Sequence, residues 1–418
     1  MVTSFLFTLL LWPYQHWQKI NYKNKHMKYL FFLVLMASGF SANSQDTAKH
    51  FWLGRTSGKL PSLNYGLGED RLGGAKLGYV DTNVMLKIID STKELFLVQL
   101  SKNHSAYIAK EFIKPDFVTK LKPFYLTESW YVKGTDSCYD IATISIGEHL
   151  PYKSWMEIAP NKIMIDIYGV QSNTNWITQL QTLKEIKNIY YNQIEDDVVR
   201  ITIELVHQQH WGYSIGYTKK ALVVKVKRQP NLANIKQLKI AIDAGHGGTN
   251  GGTDGVTTHV IEKELTLLFA KAFEKQLQKL GFKNIVQTRT FDTTINNSDR
   301  VIFLQQQNPD LLISFHLNSS SKPEVSGTST YYKHIGFRPL TTAILKRMLA
   351  IKMNEYGNIG SFNFTLNAPT DFPNCLVEVG FLSNQEDEKK IVTKPFQAQV
   401  AKQVYLGMND WLQQCKKQ

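Results

Sequence analysis

The chain has 418 residues, of which 43% are hydrophobic and 20% are charged, a composition typical of a globular protein with two or three domains. Its net charge of +13 suits an anionic partner, but no dense Lys/Arg block with interleaved aromatic residues occurs, so we expect no nucleic-acid binding. Three separated cysteines without a CxxC pair argue against a cysteine zinc site and a disulfide scaffold, although one disulfide remains possible.

Residues 1–44 have the organisation of a secretory signal peptide with a possible upstream extension. Two lysines precede an apolar run over residues 29–36, and small residues follow before residue 45. The run is short for a membrane span, so we expect export to the periplasm or cell envelope and no stable membrane span after cleavage. Met27 stands where a start codon would give the signal a normal length. Alternatively, residues 5–12 are a second apolar segment of a retained anchor.

Residues 51–115 read as a first β-rich module. Short alternating runs follow one another at close spacing over Val84–Ile89, Leu95–Leu100 and Ser105–Ile113. Several short strands separated by turn signals predict a small barrel or sandwich. The segment resembles a bacterial SH3-like barrel.

Residues 123–229 read as a second β-rich module. Its runs alternate as half-buried antiparallel strands do. These runs are Lys162–Tyr168, Val198–Leu205, Gly212–Tyr217 and Leu222–Val226. The segment resembles an AMIN-like β-sandwich in strand pattern and position, and residues 230–234 are a plausible linker after it.

Residues 236–418 change to alternating strands and helices. We predict strands at 238–243, 285–288, 310–316, 328–332 and 376–379, and helices at 262–280, 298–307, 339–356 and 395–414. This alternation predicts an α/β domain with a mostly parallel sheet covered by helices. The fold class is therefore multi-domain, with β-rich modules followed by an α/β domain.

Four residues of this third segment are candidates for chemistry. His246 follows a strand in a glycine-rich turn, His316 ends another strand, and Glu262 lies in the first turn of a helix. Carboxyl ends of parallel strands share one edge of a sheet, and two histidines with one glutamate are a catalytic zinc set. Glu378 lies in an apolar strand, where an unpaired carboxylate is costly. Alternatively, His246 is a loop histidine and Glu262 only complements the helix dipole.

Five separated motifs carry a resemblance to a known family. They are Asp243–Gly248 (DAGHGG), Glu262–Leu265 (EKEL), Thr288–Arg289 with Asp292 and Arg300, Ser314–Asn318 (SFHLN) and Val377–Asn384 (VEVGFLSN). Together they resemble the Amidase_3 family of zinc N-acetylmuramoyl-L-alanine amidases. The resemblance implies that His246, Glu262 and His316 bind one Zn²⁺ and that Glu378 is the catalytic carboxylate. Ala244 and Phe315 depart from the commoner family residues without removing a polar group.

The resemblance implies a peptidoglycan hydrolase. It would cleave the amide between the lactyl group of N-acetylmuramic acid and L-alanine of the stem peptide, using zinc-activated water with Glu378 as general base and acid. The β modules would bind wall polymer or envelope proteins, or serve as spacers. The alternatives are a zinc peptidase acting within the stem peptide and a non-catalytic wall-binding or activator protein.

Further polar residues are candidates for substrate contacts. Asn318, Arg289 and Asn384 could orient substrate, or they could stabilise turns and ion pairs. For Arg289, with Asp292 and Arg300, we favour a structural salt-bridge set.

Overall fold

The computed structural model describes residues 51–68, 74–135 and 138–417. The predicted signal peptide, residues 1–44, lies outside the described residues. Within these ranges no helix is long and apolar enough to cross a membrane. Cys138, Cys375 and Cys415 are free thiols, so the possible disulfide is not formed.

The first β-rich region is one antiparallel sheet. Its strands within the described residues are β1 (Trp52–Thr56), β2 (Ser62–Asn64), β3 (Lys76–Tyr79), β4 (Met85–Ser91), β5 (Leu95–Gln99), β6 (Ser105–Ala109) and β7 (Ile113–Pro115). They are ordered β3-β2-β6-β5-β4-β1-β7. Strand β3 is therefore an edge strand, which leaves one side of it open to other parts of the molecule.

The described part of the second β-rich region contains three sheets, of five, four and two strands. Its strands, in the part of the chain that is described, are β8 (Tyr125–Thr127), β9 (Trp130–Gly134), β10 (Tyr139–Ser145), β11 (Tyr152–Glu157), β12 (Lys162–Tyr168), β13 (Val170–Ser172), β14 (Ile177–Gln179), β15 (Ile186–Glu195), β16 (Val198–Leu205), β17 (Tyr213–Thr218) and β18 (Ala221–Lys227). The sheets run β14-β9-β10-β18-β17, β11-β12-β16-β15 and β13-β8.

The two β-rich regions share one apolar core. Alternate residues of β10 are buried, as in a strand with one face on the core. Buried side chains from Leu53 to Val226 form a single cluster, which Phe337 of the C-terminal region also joins. The predicted boundaries of the two modules, and their SH3-like and AMIN-like character, stay predictions.

The C-terminal region is an α/β layer structure. Its strands among the described residues are β19 (Ile240–Ala244), β20 (Ile285–Gln287), β21 (Leu311–Asn318), β22 (Thr328–Tyr331), β23 (Glu355–Ile359) and β24 (Asn374–Phe381). Its helices there are α1 (Glu262–Lys279), α2 (Asn297–Gln307), α3 (Arg338–Leu349), α4 (Gln385–Ile391) and α5 (Lys394–Cys415).

The sheet of this region is mixed, because one of its five strand pairings within the described residues is antiparallel, which the sequence did not predict. Its order is β20-β19-β21-β24-β22-β23. Strands β20, β19, β21 and β24 are mutually parallel along this order, and β22 is parallel to β23, but β22 pairs with β24 in the antiparallel sense. The chain from β21 to β22 is a short loop without a helix, whereas a parallel return needs a longer crossover.

Two parts of the C-terminal region differ from the sequence prediction. The helix expected over residues 339–356 ends at Leu349, and strand β23 follows at Glu355. The short helix α4 was not predicted from the sequence; Asn384 caps it by accepting a hydrogen bond from the backbone N–H of Asp387 at 3.0 Å.

The second β-rich region is joined to the α/β region by packing rather than by a free tether. Residues 232–237 form a 3₁₀ segment, and Leu232 is buried in the core of the α/β region. The Trp211 and Trp411 rings lie 5.1 Å apart, and Trp411 Nε1 donates a hydrogen bond to Gln209 Oε1 at 2.9 Å. The segment proposed as a linker therefore holds the two regions together.

Candidate active site

His246 and His316 come from neighbouring parallel strands. Strand β19 pairs with β21, and each histidine lies just beyond or near the carboxyl end of its strand. His246 adopts a positive φ of 62°, which is uncommon for a residue with a side chain. Gly245 next to it has no room for a Cβ, since that atom would lie 2.3 Å from the His316 ring. The glycine thus lets the two imidazoles approach within 4.9 Å, measured between ring centroids.

Glu262 is the first residue of α1, and its side chain lies between the two histidines. Its Oε1 atom is 3.1 Å from His246 Nε2 and 3.2 Å from His316 Nδ1. The same oxygen accepts a hydrogen bond from the Leu317 backbone N–H at 2.9 Å, and Oε2 accepts one from the Thr253 N–H at 3.0 Å. The carboxylate orientation is therefore determined by backbone N–H groups of strand β21 and of the loop that precedes α1.

Contacts within this cluster shift the pKa values of Glu262 and His246. Burial alone would raise the pKa of Glu262, but hydrogen bonds from His246 and His316 lower it overall. Burial opposes protonation of His246, but the hydrogen bond and charge of Glu262, together with the hydrogen bond to Asn250, outweigh it, so the pKa of His246 is raised. The carboxylate is thus stabilised as an anion by the imidazoles on both sides.

The three side chains fit a zinc ion. Their candidate ligand atoms all lie within 4.8 Å of one another. Two imidazoles and one carboxylate are the ligands of a catalytic zinc site, which leaves the fourth position to water or substrate. Asn250 Oδ1 accepts a hydrogen bond from His246 Nδ1 at 2.9 Å when that nitrogen carries the proton. This contact would direct Nε2 of the ring toward the metal position, as outer partners of metal-bound histidines commonly do.

Glu378 lies beside this cluster. In the parallel pair of β21 and β24 it is directly opposite His316, so both side chains project from the same face of the sheet. Its side chain lines the cleft that contains the three metal-ligand candidates, and the residue is only 6% exposed. A carboxylate at this position is close to the candidate metal and shielded from bulk water.

A buried ion pair supports the turn that carries His246. Arg300 Nη1 lies 2.7 Å from Asp243 Oδ1, and the two side chains are 2% and 1% exposed. Arg300 also donates to the carbonyl of Ala244 at 2.7 Å and to that of His246. Burial raises the pKa of Asp243, but the Arg300 charge is the first of several interactions that lower it overall. Asp243 and Arg300 belong to two separate sequence motifs, and neither motif indicated this contact.

The three residues considered for substrate binding differ in position. Asn318 lines the cleft. Arg289 is 3% exposed and donates hydrogen bonds to backbone carbonyls, including those of Ala244 and Gly245 at 2.9 Å each. Asn384 caps α4 and donates to the Pro323 carbonyl at 2.7 Å. These contacts are structural ones. They differ from the predicted salt-bridge set, because Asp292 pairs with Lys263 and Arg300 pairs with Asp243.

The cleft has a volume of about 600 Å³ and includes residues that sequence reasoning missed. Phe364 lies parallel to the His316 ring, with their centroids 6.4 Å apart. Lys76, in edge strand β3 of the first sheet, also lines the cleft. Neither residue belongs to a motif, because their positions depend on contacts between distant parts of the chain.

Residues 240–410 match a family model described as N-acetylmuramoyl-L-alanine amidase. The chain carries an Amidase_3 domain. All four candidate residues, His246, Glu262, His316 and Glu378, fall inside the matched range, as do the strands that position them.

Two proteins with similar sequences, and one with a similar structure, are amidases by name. The chain is 23% identical over 360 residues to the N-acetylmuramoyl-L-alanine amidase AmiC of Escherichia coli O6:H1, covering 65% of this chain and 86% of that protein. It is 29% identical to the probable cell wall amidase LytH of Staphylococcus saprophyticus, over 41% of this chain and 58% of that protein. A solved N-acetylmuramoyl-L-alanine amidase from Clostridium difficile 630 is 30% identical, covering 43% of this chain and 98% of that one, with a TM-score of 0.41.

Proposed function

We propose that this protein is an exported peptidoglycan hydrolase that cleaves the amide between the lactyl group of N-acetylmuramic acid and L-alanine of the stem peptide. The observation that carries the proposal is the meeting of His246, Glu262 and His316 in one cleft with Glu378 on the adjacent strand, inside the amidase domain. The products are a glycan strand and a peptide that begins with L-alanine.

In this proposal the metal is one Zn²⁺ held by His246, Glu262 and His316. When bound, zinc supplies a Lewis acid that polarises the amide carbonyl and makes water acidic near neutral pH. The hydrogen bonds from Leu317 and Thr253 hold the Glu262 carboxylate in place, and Asn250 orients the His246 ring. Preorganisation of this kind lowers the cost of binding the ion.

Glu378 moves the protons. Its carboxylate takes a proton from the attacking water and delivers it to the nitrogen of the leaving L-alanine, so that the amine departs neutral. Burial in the cleft favours transfer between groups rather than to bulk solvent. Asn318 lines the same cleft and is the residue best placed, of the three first considered, to contact the substrate.

The β-rich regions are proposed to locate the enzyme. As SH3-like and AMIN-like modules they would bind wall polymer or envelope proteins, and the predicted signal peptide would direct the chain to the periplasm or cell envelope. Residues 1–44 carry four lysines and no acidic residue, so the net charge falls from +13 to +9 after cleavage, and it still supports attraction to an anionic wall.

Mass spectrometry of digested muropeptides tests the proposed reaction. Full-length protein with zinc is expected to release intact stem peptides that begin with L-alanine, and a chelator is expected to stop the release until zinc is restored. Release of shortened peptides with the lactyl amide intact would instead identify a zinc peptidase. Protein that binds sacculi without releasing either product would identify a non-catalytic wall-binding protein.

A further inference from the structure

The cleft of the amidase domain includes a residue from the first β sheet. Lys76 belongs to edge strand β3, whereas every other described residue that lines the cleft lies between positions 243 and 378. A basic residue is thus brought to the cleft from a part of the chain that the family match does not cover.

Contacts from the amidase domain fix the backbone around Lys76. The Lys76 backbone N–H donates to Asn363 Oδ1 at 3.3 Å, and Asn363 Nδ2 donates to the Gly74 carbonyl at 3.0 Å. The Lys333 ammonium donates to the Lys76 carbonyl at 3.2 Å. Because both sides of Lys76 are held by the amidase domain, the residue is a built part of the cleft wall.

The charge of this wall is positive. Among the described residues no carboxylate contributes to the pKa shift of Lys76, although its side chain is half-buried. Burial lowers the pKa of Lys76, and burial together with the Lys76 charge lowers the pKa of Lys333 to about 8. Lys333 does not line the cleft, so the group there that favours an anionic ligand is the partly buried Lys76 ammonium, whose lost solvation the ligand would restore.

The substrate under the proposed function carries such a group. A stem peptide has at least its terminal carboxylate, and the cleft must admit the peptide on one side of the scissile amide. Glu262 and Glu378 place carboxylates beside the candidate metal ligands. Arg300 also lines the cleft but is paired with Asp243, so Lys76, beside Asn363, is the place for a negative charge.

We propose that Lys76 binds a carboxylate of the stem peptide, so that the first β sheet contributes directly to substrate specificity. This inference rests on the proposed function, because it takes the peptide as the ligand. Lys76 acts as a substrate-binding residue, and the Lys333 and Asn363 contacts position it.

Steady-state kinetics of full-length, zinc-loaded protein on two muropeptides test this inference. One substrate has free stem-peptide carboxylates and the other has the same carboxylates amidated. Lys76→Met is expected to raise KM about 10-fold or more on the free substrate with little change in kcat, as loss of a charge-assisted hydrogen bond implies. It is expected to leave the amidated substrate unchanged, and Lys76→Arg should retain most of the parent KM. The matched control is Lys114→Met, an exposed lysine in β7 of the same sheet.

Equal kinetics of Lys76→Met and parent on the free substrate, or an equal loss on both substrates, would overturn the inference. Inhibition of the parent by inorganic phosphate, lost in Lys76→Met without a difference between the two muropeptides, would assign the site to phosphate instead. If the parent cleaves neither substrate, the proposed function fails. In that case the Kd of the free muropeptide for the parent and for Lys76→Met decides the binding inference separately.

Discussion

At the scale of single residues, Glu378 is the side chain on which the chemistry depends. We expect Glu378→Gln to reduce kcat roughly 10²- to 10⁴-fold, since the amide keeps the size of the side chain but cannot accept the proton of water. Zinc content and thermal unfolding should stay at the parent values. Glu264→Gln, an exposed glutamate in the same helix as Glu262, is the control. A Glu378→Gln protein as active as the parent would refute the assigned role.

Asn250 provides a test of metal binding at the same scale. Asn250→Ala removes the hydrogen bond to His246 Nδ1, and we expect zinc affinity to fall about 10- to 100-fold. Competition against a zinc indicator measures this affinity directly. Activity should recover at saturating zinc, because the ligands themselves remain. Asn354→Ala, which removes an exposed hydrogen bond to Ser326, should leave zinc affinity unchanged.

At the scale of the structural element, the turn after β19 depends on the Asp243–Arg300 pair. Asp243→Asn leaves the Arg300 guanidinium buried without a counter-charge, so we expect a loss of roughly 3–5 kcal/mol in the free energy of unfolding. Denaturant unfolding gives the value. Asp410→Asn breaks a half-exposed pair with Arg347 and should cost less than about 1 kcal/mol. A similar loss of unfolding free energy in both variants would contradict the prediction that burial makes Asp243–Arg300 the stronger pair.

The elements that carry the site could be predicted from the sequence, and the reason is local. His246 and His316 end apolar runs, and Glu262 begins a helical stripe that Gly281 follows, so strand ends and a helix start place all three at one edge. The predicted end of the helix over 339–356 was wrong. The helix ends at Leu349 and an edge strand follows, and apolar spacing alone did not indicate this change. The strand β22 was predicted but its antiparallel direction was not, because the sequence pattern of a strand does not encode its direction.

At the scale of the whole molecule, the junction between the second β-rich region and the amidase domain contains a buried histidine. His210 is 1% exposed, and its Nε2 lies 2.8 Å from the Glu157 carbonyl. Gly336 of the amidase domain packs on its ring, where a Cβ would lie 2.6 Å away. Burial, only partly offset by the hydrogen bond, lowers the pKa of His210 to about 4.

This histidine predicts a pH dependence of stability. Because the folded pKa is below the unfolded value of about 6.5, the unfolded chain binds more protons between those values, and stability falls as the pH drops from about 6.5 to 4. One such group contributes a slope of up to about 1.4 kcal/mol per pH unit. Denaturant unfolding across this range should show a shallower slope in His210→Gln. His259→Asn, at an exposed position, should keep the parent slope, and an unchanged slope in His210→Gln would contradict the prediction.

The contacts between regions could not be predicted from the sequence. Asn363 and Gly74 are 289 positions apart, and nothing in the residues around either indicates the other. Trp211 reads as part of an alternating strand region, yet it packs on Trp411 near the end of the chain. Periodicity and motifs indicate local structure and strand ends. Contacts between distant residues depend instead on how the folded sheets and helices pack together.

The Trp211–Trp411 contact also limits how far the catalytic domain can move relative to the second β-rich region. A catalytic domain on a flexible tether can search the volume that its linker allows, so that a bound copy cuts many nearby bonds. Here Leu232 and Gln209 fasten the two regions, which removes that freedom. A copy held on the wall through its β sheets would therefore cut only bonds at one fixed distance and orientation from its attachment point, and further cutting would require release and rebinding.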